Sequence, residues 1–231
     1  MKRFWTNAAV VAAGDGWQVQ LDGRPVKTQA GSAQIVPTST LAAALAEEWA
    51  VQGATVDPDS LPLRDLADLA IDVIAADTAG TIAALLRYAE TDTLCYRADP
   101  EEPLHARQME LWEPLLLTAE ARWGVQFNRV SGVIHRPQSA DTLARFEQEL
   151  AAHDRFTLAA LTTLSALSAS LTIALAALEP GVDATALWDA ANLEEDWQAT
   201  HWGADAEAAE RRARRLASFC AAQRFAQLAR A

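Results

Sequence analysis

Residues 192–205, NLEEDWQATHWGAD, place four carboxylates, one histidine and two tryptophans within fourteen positions. A group of this kind could be an acid/base site, a metal site, a surface that holds a partner, or the start of a helix. Asn192 with Glu195 three positions later predicts a capping box, and Glu194, Glu195 and Asp196 place negative charge where the helix dipole favours it. Helix capping therefore explains the carboxylates of this segment.

Capping does not explain the two tryptophans. Trp197 and Trp202 are five positions apart, so on a helix they point about 140° from each other, and one is expected to enter the core while the other stays near the surface. His201 has Trp197 and Gln198 one turn back, so no carboxylate stands where a helical metal-ligand pair needs one. An acidic, tryptophan-bearing helix edge without a base or nucleophile favours a docking surface over an active site.

Other catalytic motifs are incomplete. The GDG of residues 14–16 lacks the third glycine of a dinucleotide loop, no GxxxxGK(S/T) is present, and Ser131 and Gly132 lack the GxSxG frame of a serine hydrolase. Glu102 and His105 have the spacing of a helical di-metal pair, but a proline lies between them and no second copy exists. The sequence therefore predicts no catalytic residue, no metal ligand and no cofactor. The open alternative is a helical metal- or ligand-binding enzyme that uses the acids near His201.

Composition limits the class of partner. The 31 acidic and 19 basic residues give a net charge of −12, which argues against nucleic acid or an anionic membrane surface and favours a basic or apolar partner. Cys95 and Cys220 are too far apart for a CxxC motif and do not form a disulfide framework, so the cysteine usage suits a reducing cytoplasm. The 51% of hydrophobic residues is enough to build a core.

One uncharged stretch, residues 156–178, is long enough to span a bilayer. It carries seven hydroxyl side chains, and its leucines recur at helical spacing at positions 164, 167, 171, 175 and 178. This pattern predicts a buried central helix of a helical bundle and no membrane insertion.

The arginines at positions 211, 212, 214 and 215 form a basic cluster. Glu207 and Glu210 each precede an arginine by four residues, the favourable orientation for helical ion pairs. We therefore expect a solvated, salt-bridged helix face, with a charged docking surface as the alternative.

The distribution of patterns predicts an α+β protein. Alternation at Trp17, Val19 and Leu21 followed by Asp22-Gly23 predicts a hairpin, and a first helix follows Thr38. A second helix is expected to bury Leu66, Leu69, Val73 and Ile74. Further helices are predicted over 78–88, 102–123 with a kink or split at Pro114, 139–152, 154–178, 183–191, 192–202 and 205–228. We expect a small β-containing N-terminal domain of residues 1–60 and a helical C-terminal domain of residues 61–231, with the β-rich residues 125–134 available to rejoin the N-terminal sheet.

Seven segments carry a resemblance to a known family. They occur in the order KRFW, LDGRPVKT, EEWAVQG leading to LPLRDLADLAID, YAETDTLCYRA, RQMELWEPLL, SLTIALA and EEDWQATHWGADAEAAERR, and they span nearly the whole chain. Together they resemble the assembly chaperone of the F-type ATP synthase that attends the α subunit of the catalytic sector.

The resemblance implies a function without catalysis. A member of this family is expected to bind the newly made α subunit, to shield the surface later covered by the β subunit, and to release α as the hexamer forms. The family pattern D/E-E-D-W-Q falls on Glu194, Glu195, Asp196, Trp197 and Gln198, which become the candidate partner-binding residues. Because the chain begins at the family's first motif, with no presequence, we expect a bacterial, cytoplasmic member.

Overall fold

A small antiparallel sheet near the N-terminus is followed by a chain that is mostly helical, which confirms the predicted α+β class. The computed structural model of the protein describes residues 2–132, 134–203 and 205–231. The packing divides into two units. The first consists of Met1–Thr78, Asp154–Ala160 and Ala221–Ala231, and the second of Ala79–His153 and Leu161–Cys220.

The N-terminal sheet contains the strands β1 (Ala8–Ala13), β2 (Gly16–Leu21), β3 (Arg24–Pro25) and β4 (Ile35–Val36). Strand β2 pairs antiparallel with each of the other three. The predicted hairpin lies between β2 and β3, where Asp22 (φ 47°) and Gly23 (φ 80°) both adopt the left-handed conformation that a type I′ turn requires. The Asp-Gly pair thus sets the register of this edge of the sheet.

Helix α1 (Ser39–Ala50) begins where the sequence predicts it. The Thr38 side chain accepts a hydrogen bond from the Leu41 backbone N–H (3.1 Å) and so caps the helix. Leu41, Leu45 and Trp49 recur at helical spacing and are buried on one face. The Trp49 ring packs edge-on against Trp5, with ring centroids 5.3 Å apart.

Helix α2 (Pro62–Asp68) is attached to α1 by a side chain. The Glu48 carboxylate of α1 accepts hydrogen bonds from the backbone N–H groups of Leu63 (2.8 Å) and Arg64 (3.0 Å). These are two of the N–H groups that a helix N-terminus leaves unpaired. Glu48 therefore supplies the cap that α2 does not find in its own sequence.

A π-helix, Leu69–Ile74, continues α2 and shifts the predicted buried face. The Ala75 N–H donates to the Ala70 carbonyl, five residues back, which widens the turn. Ile74 is buried as expected, but Val73 is exposed, contrary to the sequence prediction. The 3.6-residue period on which that prediction depended does not hold through a π-helical turn.

Among the described residues, the rest of the chain contains nine α-helices, one short 3-10 helix (Thr93–Cys95) and two short strands. In chain order these are α3 (Thr78–Glu90), β5 (Tyr96–Arg97), α4 (Pro103–Leu111), α5 (Glu113–Trp123), β6 (Val130–Ser131), α6 (Ala140–Ala151), α7 (Arg155–Ser168), α8 (Leu171–Ala176), α9 (Ala184–Ala191), α10 (Leu193–Trp202) and α11 (Ala206–Ala229). The helix predicted over 102–123 is split as Pro114 indicated. Pro114 lies in the first turn of α5, where its missing N–H costs little.

Strand β6 corrects the expectation for residues 125–134. It pairs parallel with β5, Tyr96 with Val130 and Arg97 with Ser131, and does not join the N-terminal sheet. The reason is a set of ion pairs: the Arg129 guanidinium lies 2.8 Å from Glu113 and 2.6 Å from Glu120, both on α5. These contacts hold the segment beside α5. Val133 lies outside the described residues.

The single helix predicted over 154–178 is broken in two. Ala169 has a positive φ of 51°, and the Ser170 side chain accepts from the Ile173 N–H (3.0 Å) to start α8. The buried Asp92 carboxylate also accepts from the Thr172 N–H at this break (3.0 Å). Most of the leucine stripe is buried nevertheless, including Leu171.

Within the described part of the chain, no single helix combines the length and apolar composition needed to cross a membrane. The consecutive helical segments Pro62–Ile74 and Thr78–Cys95 meet those requirements only when they are taken together.

Candidate functional site

Helices α10 and α11 line a cleft of about 560 Å³ in the second unit. The chain turns between the two helices at Gly203, which has a positive φ of 92°, and Ala204 lies outside the described residues. Helix α10 contributes the larger side chains of the lining, which are Glu195, Asp196, Gln198 and Trp202, and α11 contributes Ala208, Ala209 and Arg212. Ala208 and Ala209 of α11 are small, so they leave space beside the polar and aromatic side chains of α10.

The start of α10 does not use the predicted capping box. The Asn192 side chain makes no capping bond to α10, and its Nδ2 instead donates to the Trp188 carbonyl (2.8 Å). The Asn192 backbone N–H donates to the same carbonyl (3.0 Å), so it is not available to Glu195. Helix α9 ends directly before α10. The Trp188 carbonyl of α9 accepts hydrogen bonds from both the side-chain amide and the backbone N–H of Asn192, the two groups that a capping box would use. Glu195 is therefore free of a capping role.

Glu194 is a structural contact between helices. Its carboxylate accepts a hydrogen bond from Nε2 of Gln108 (2.8 Å), a fully buried side chain of α4. Desolvation raises the pKa of Glu194, and the hydrogen bond from Gln108 opposes that rise. This pairing directs Glu194 towards α4.

Asp196 is held by an ion pair. The Arg212 guanidinium lies 2.5 Å from the Asp196 carboxylate and 3.1 Å from that of Asp189, so one arginine joins α9, α10 and α11. Desolvation acts to lower the pKa of Arg212, but its hydrogen bonds to Asp196 and Asp189 raise it overall. The sequence predicted helical ion pairs for the arginine cluster, and Arg214 does pair with Glu210 at 2.6 Å. Arg212 is used differently, as a cross-link between helices.

The rings of Trp197 and His201 pack against each other on α10 in a tilted arrangement. Their ring centroids lie 4.6 Å apart, and the Nδ1 atom of His201 hydrogen-bonds the Trp197 carbonyl oxygen (2.8 Å). Trp197 is half-buried, whereas Trp202 is 79% exposed. Within the described ranges, no three His, Cys, Asp or Glu side chains come together in a way that could hold a metal ion.

Glu195, Gln198 and Trp202 are the exposed large side chains that α10 presents to the cleft. Residues seven apart on a helix lie on nearly the same face, so Glu195 and Trp202 share that face about two turns apart, with Gln198 between them. Trp202 was not among the predicted partner-binding residues. Its spacing from Glu195 was the signal that would have placed it on the same face as the acidic motif.

The protein thus has an α+β fold, and its candidate site is a cleft in which one helix face presents an exposed tryptophan and a carboxylate. The Atp12 crystal structure from Paracoccus denitrificans has a TM-score of 0.93 and 36% identity, covering 99% of this chain and 98% of that one. A point mutant of P. denitrificans Atp12p matches equally well, at 36% identity and a TM-score of 0.93 over 99% of this chain and 97% of that one. Protein atp12, mitochondrial, from Schizosaccharomyces pombe is 28% identical over 221 residues, covering 90% of this chain and 76% of that protein.

The family model of the ATP12 chaperone protein matches residues 2–120. The chain therefore belongs to the ATP12 chaperone family, so it is an ATP synthase assembly chaperone and not an enzyme. The P. denitrificans structures are consistent with a bacterial-type member.

Proposed function

We propose that the protein binds the unassembled α subunit of F-type ATP synthase, shields the surface that the β subunit later covers, and releases α during assembly of the catalytic hexamer. The observation that carries this proposal is the exposed Trp202, which lines the α10–α11 cleft on the same helix face as Glu195. Large, solvent-exposed tryptophans are costly in an isolated protein and are enriched at the centres of protein interfaces. An exposed carboxylate beside such an anchor suits a client segment that is apolar and basic.

The residues of the EEDWQ segment divide between two roles in this proposal. Glu195 and Gln198 contact the client together with Trp202, because all three side chains are exposed on the cleft. Glu194 and Asp196 hold α10 in place through Gln108 of α4 and Arg212 of α11, whereas Trp197 packs against His201 of the same helix. The net charge of −12 supports the same choice of client, since it disfavours acidic partners and favours encounters with basic surfaces.

The physical benefit of such a contact is protection from aggregation. A subunit that belongs inside a ring exposes apolar interface surface before it is assembled, and such surface associates with other copies. A chaperone that covers the surface lowers the concentration of the aggregating form by mass action and needs no ATP to do so. Release follows when the β subunit competes for the same surface.

The proposal is tested by expressing the α subunit alone and together with this protein. We expect α to remain in the supernatant after centrifugation only in the co-expression, and a complex of the two to elute together from gel filtration. Adding purified β subunit should transfer α from this complex to an α–β species. Equal aggregation of α with and without the protein, and no joint elution, would show that the proposed client is wrong.

A further inference from the structure

A second pocket, of about 280 Å³, lies in the first unit. Its lining comes mostly from three of the seven segments through which the sequence resembles its family: KRFW, LDGRPVKT, and EEWAVQG leading to LPLRDLADLAID. These segments all lie within residues 2–72, and the α10–α11 cleft uses none of them. The pocket is smaller than the roughly 300–1,000 Å³ typical of small-molecule and cofactor sites, so it suits an anchoring side chain better than a cofactor.

The apolar part of the lining comes from strand β2, helix α1 and the segments next to β1 and β3. Leu21, Val26 and Trp49 are buried, whereas Phe4 is 56% exposed. The Phe4 ring packs edge-on against Trp5, with centroids 5.1 Å apart, so a fixed aromatic neighbour supports it. An exposed phenylalanine held beside a pocket is a suitable contact for an apolar side chain of a ligand.

The charged part of the lining is basic, although the protein as a whole carries a charge of −12. Arg24, Lys27 and Arg64 line the pocket, and no carboxylate is among its described lining residues. Arg64 is paired with Asp65 at 2.8 Å, so the cations that remain for a ligand are Arg24 and Lys27, both exposed. The Arg24 guanidinium lies 5.9 Å from the Phe4 ring centroid, which places a cation beside the exposed aromatic surface.

Two buried donors on the lining residues find no acceptor among the described residues. They are the indole Nε1–H of Trp49 and the Nε–H of Arg64. Trp49 is only 6% exposed, and buried donors are nearly always paired in native proteins. Because both side chains line the pocket, a ligand with carboxylate or carbonyl oxygens brings acceptors close to them.

We propose that this pocket binds an acidic peptide segment of a partner protein. One apolar side chain of the segment enters the pocket, and the carboxylates of the residues on either side of it contact the basic lining. Recognition is through side chains: β3 contains Pro25, which has no N–H to offer an added strand. The site selects acidic segments, whereas the α10–α11 cleft is proposed to select basic ones. It does not depend on the identity of the client proposed above.

The test is a titration of the ¹⁵N-labelled full chain, followed by NMR, with the peptide Ac-DDLFDD-NH2. We expect saturable shifts of the Trp49 indole and of the backbone amides of Lys27 and Thr28, and weaker binding, on the order of tenfold, for the uncharged peptide Ac-NNLFNN-NH2. Ac-DDGGDD-NH2, which lacks the apolar residues, should also bind more weakly. Equal binding of the charged and uncharged peptides, or shifts confined to other residues, would overturn the proposal. Inorganic phosphate giving the same shifts would also overturn it, by showing a small-anion site.

Amino-acid substitutions distinguish binding at this pocket from binding at the α10–α11 cleft. Charge reversal by Arg24→Glu with Lys27→Glu should abolish the peptide shifts, while the matched reversal Arg87→Glu on α3 should leave them unchanged. If the double variant does not fold, as judged by its thermal melt, Lys27→Gln alone should still weaken binding. Glu195→Lys should retain peptide binding, whatever it does to α capture. Retention of full affinity by a folded Arg24→Glu, Lys27→Glu protein would exclude the site.

Discussion

The carboxylate of Asp196 lies 2.5 Å from the guanidinium of Arg212, while the adjacent Glu195 is exposed on the α10–α11 cleft. Two neighbouring acids of one motif thus have different surroundings. Asp196 is committed to holding three helices together, and Glu195 is available to a partner.

Charge reversal at Glu195 should affect binding and leave folding intact. Because Glu195 is exposed and does not cap α10, Glu195→Lys is expected to change the free energy of unfolding by about 1 kcal/mol or less, chiefly through the loss of a favourable charge in the first turn of the helix. Capture of the α subunit in the co-expression assay should fall strongly, since a basic client segment would meet a like charge. The matched control is Glu147→Lys, an exposed acid on α6. Undiminished capture by a folded Glu195→Lys protein would remove this carboxylate from the proposed docking surface.

Substitution of Asp196 should instead affect folding and leave binding largely intact. Asp196→Asn keeps the size of the side chain but removes one partner of Arg212, whose remaining ion pair with Asp189 is longer at 3.1 Å. Because the Asp196 side chain is partly exposed, the loss of stability should be modest, about 0.5–1 kcal/mol. Urea unfolding curves measure it, and high salt should reduce the difference between the variant and the parent. A loss that is unaffected by salt would argue against an electrostatic role.

Substitutions of the two tryptophans of α10 should likewise differ in whether they affect binding or stability. Trp202→Ala is expected to leave stability within about 0.5 kcal/mol of the parent and to weaken α capture, because the ring is 79% exposed. Trp197→Ala removes a half-buried ring that packs against His201 and should lower stability by about 1–3 kcal/mol. Thermal melts and the capture assay, performed on both variants, give the comparison. A large stability loss for Trp202→Ala would mean that the ring is part of the fold.

Glu48 predicts a pH dependence of stability. Desolvation raises the pKa of this carboxyl from 4.5 to about 7, with a smaller contribution from Asp65, while the N–H groups of Leu63 and Arg64 act to lower it. The folded state then binds more protons than the unfolded state between about pH 4.5 and pH 7, so the stabilising effect present below pH 4.5 is lost as the pH rises through 7.

The variant Glu48→Gln isolates this effect, because the other titrating groups are common to both proteins. Melting temperatures measured at pH 5 and pH 8 should show the parent losing stability relative to Glu48→Gln across this interval. If the difference between the two proteins is the same at both pH values, the Glu48 pKa is not raised.

The break between α7 and α8 predicts a further stability effect. Leu171 is fully buried at the first position of α8, so Leu171→Ala should cost about 2–5 kcal/mol in urea unfolding. Ala166→Ser, an exposed change on α7, is the comparison and should be nearly neutral. A cost below about 1 kcal/mol for Leu171→Ala would indicate that the core does not depend on this side chain.

Local patterns were sufficient to predict much of the fold. The Asp22-Gly23 turn, the Thr38 cap and the split at Pro114 each depend on neighbours a few residues away, and the structure confirms all three. The motifs, taken in order, also identified the family. The broken helix at Ala169 and the π-helical turn beside Val73 were missed, because in both places packing overrides the regular helical period.

The sequence by itself determined that an acidic, tryptophan-containing helix edge exists, but it did not distinguish among the carboxylates of that edge. Glu194, Glu195 and Asp196 are equivalent in a local pattern. Their partners are distant in the chain: Gln108 lies 86 positions from Glu194, and Arg212 lies 16 positions from Asp196. Only the packing of α4 and α11 against α10 pairs two of the three acids and leaves Glu195 exposed, because hydrogen bonds and ion pairs form between groups that tertiary structure brings together.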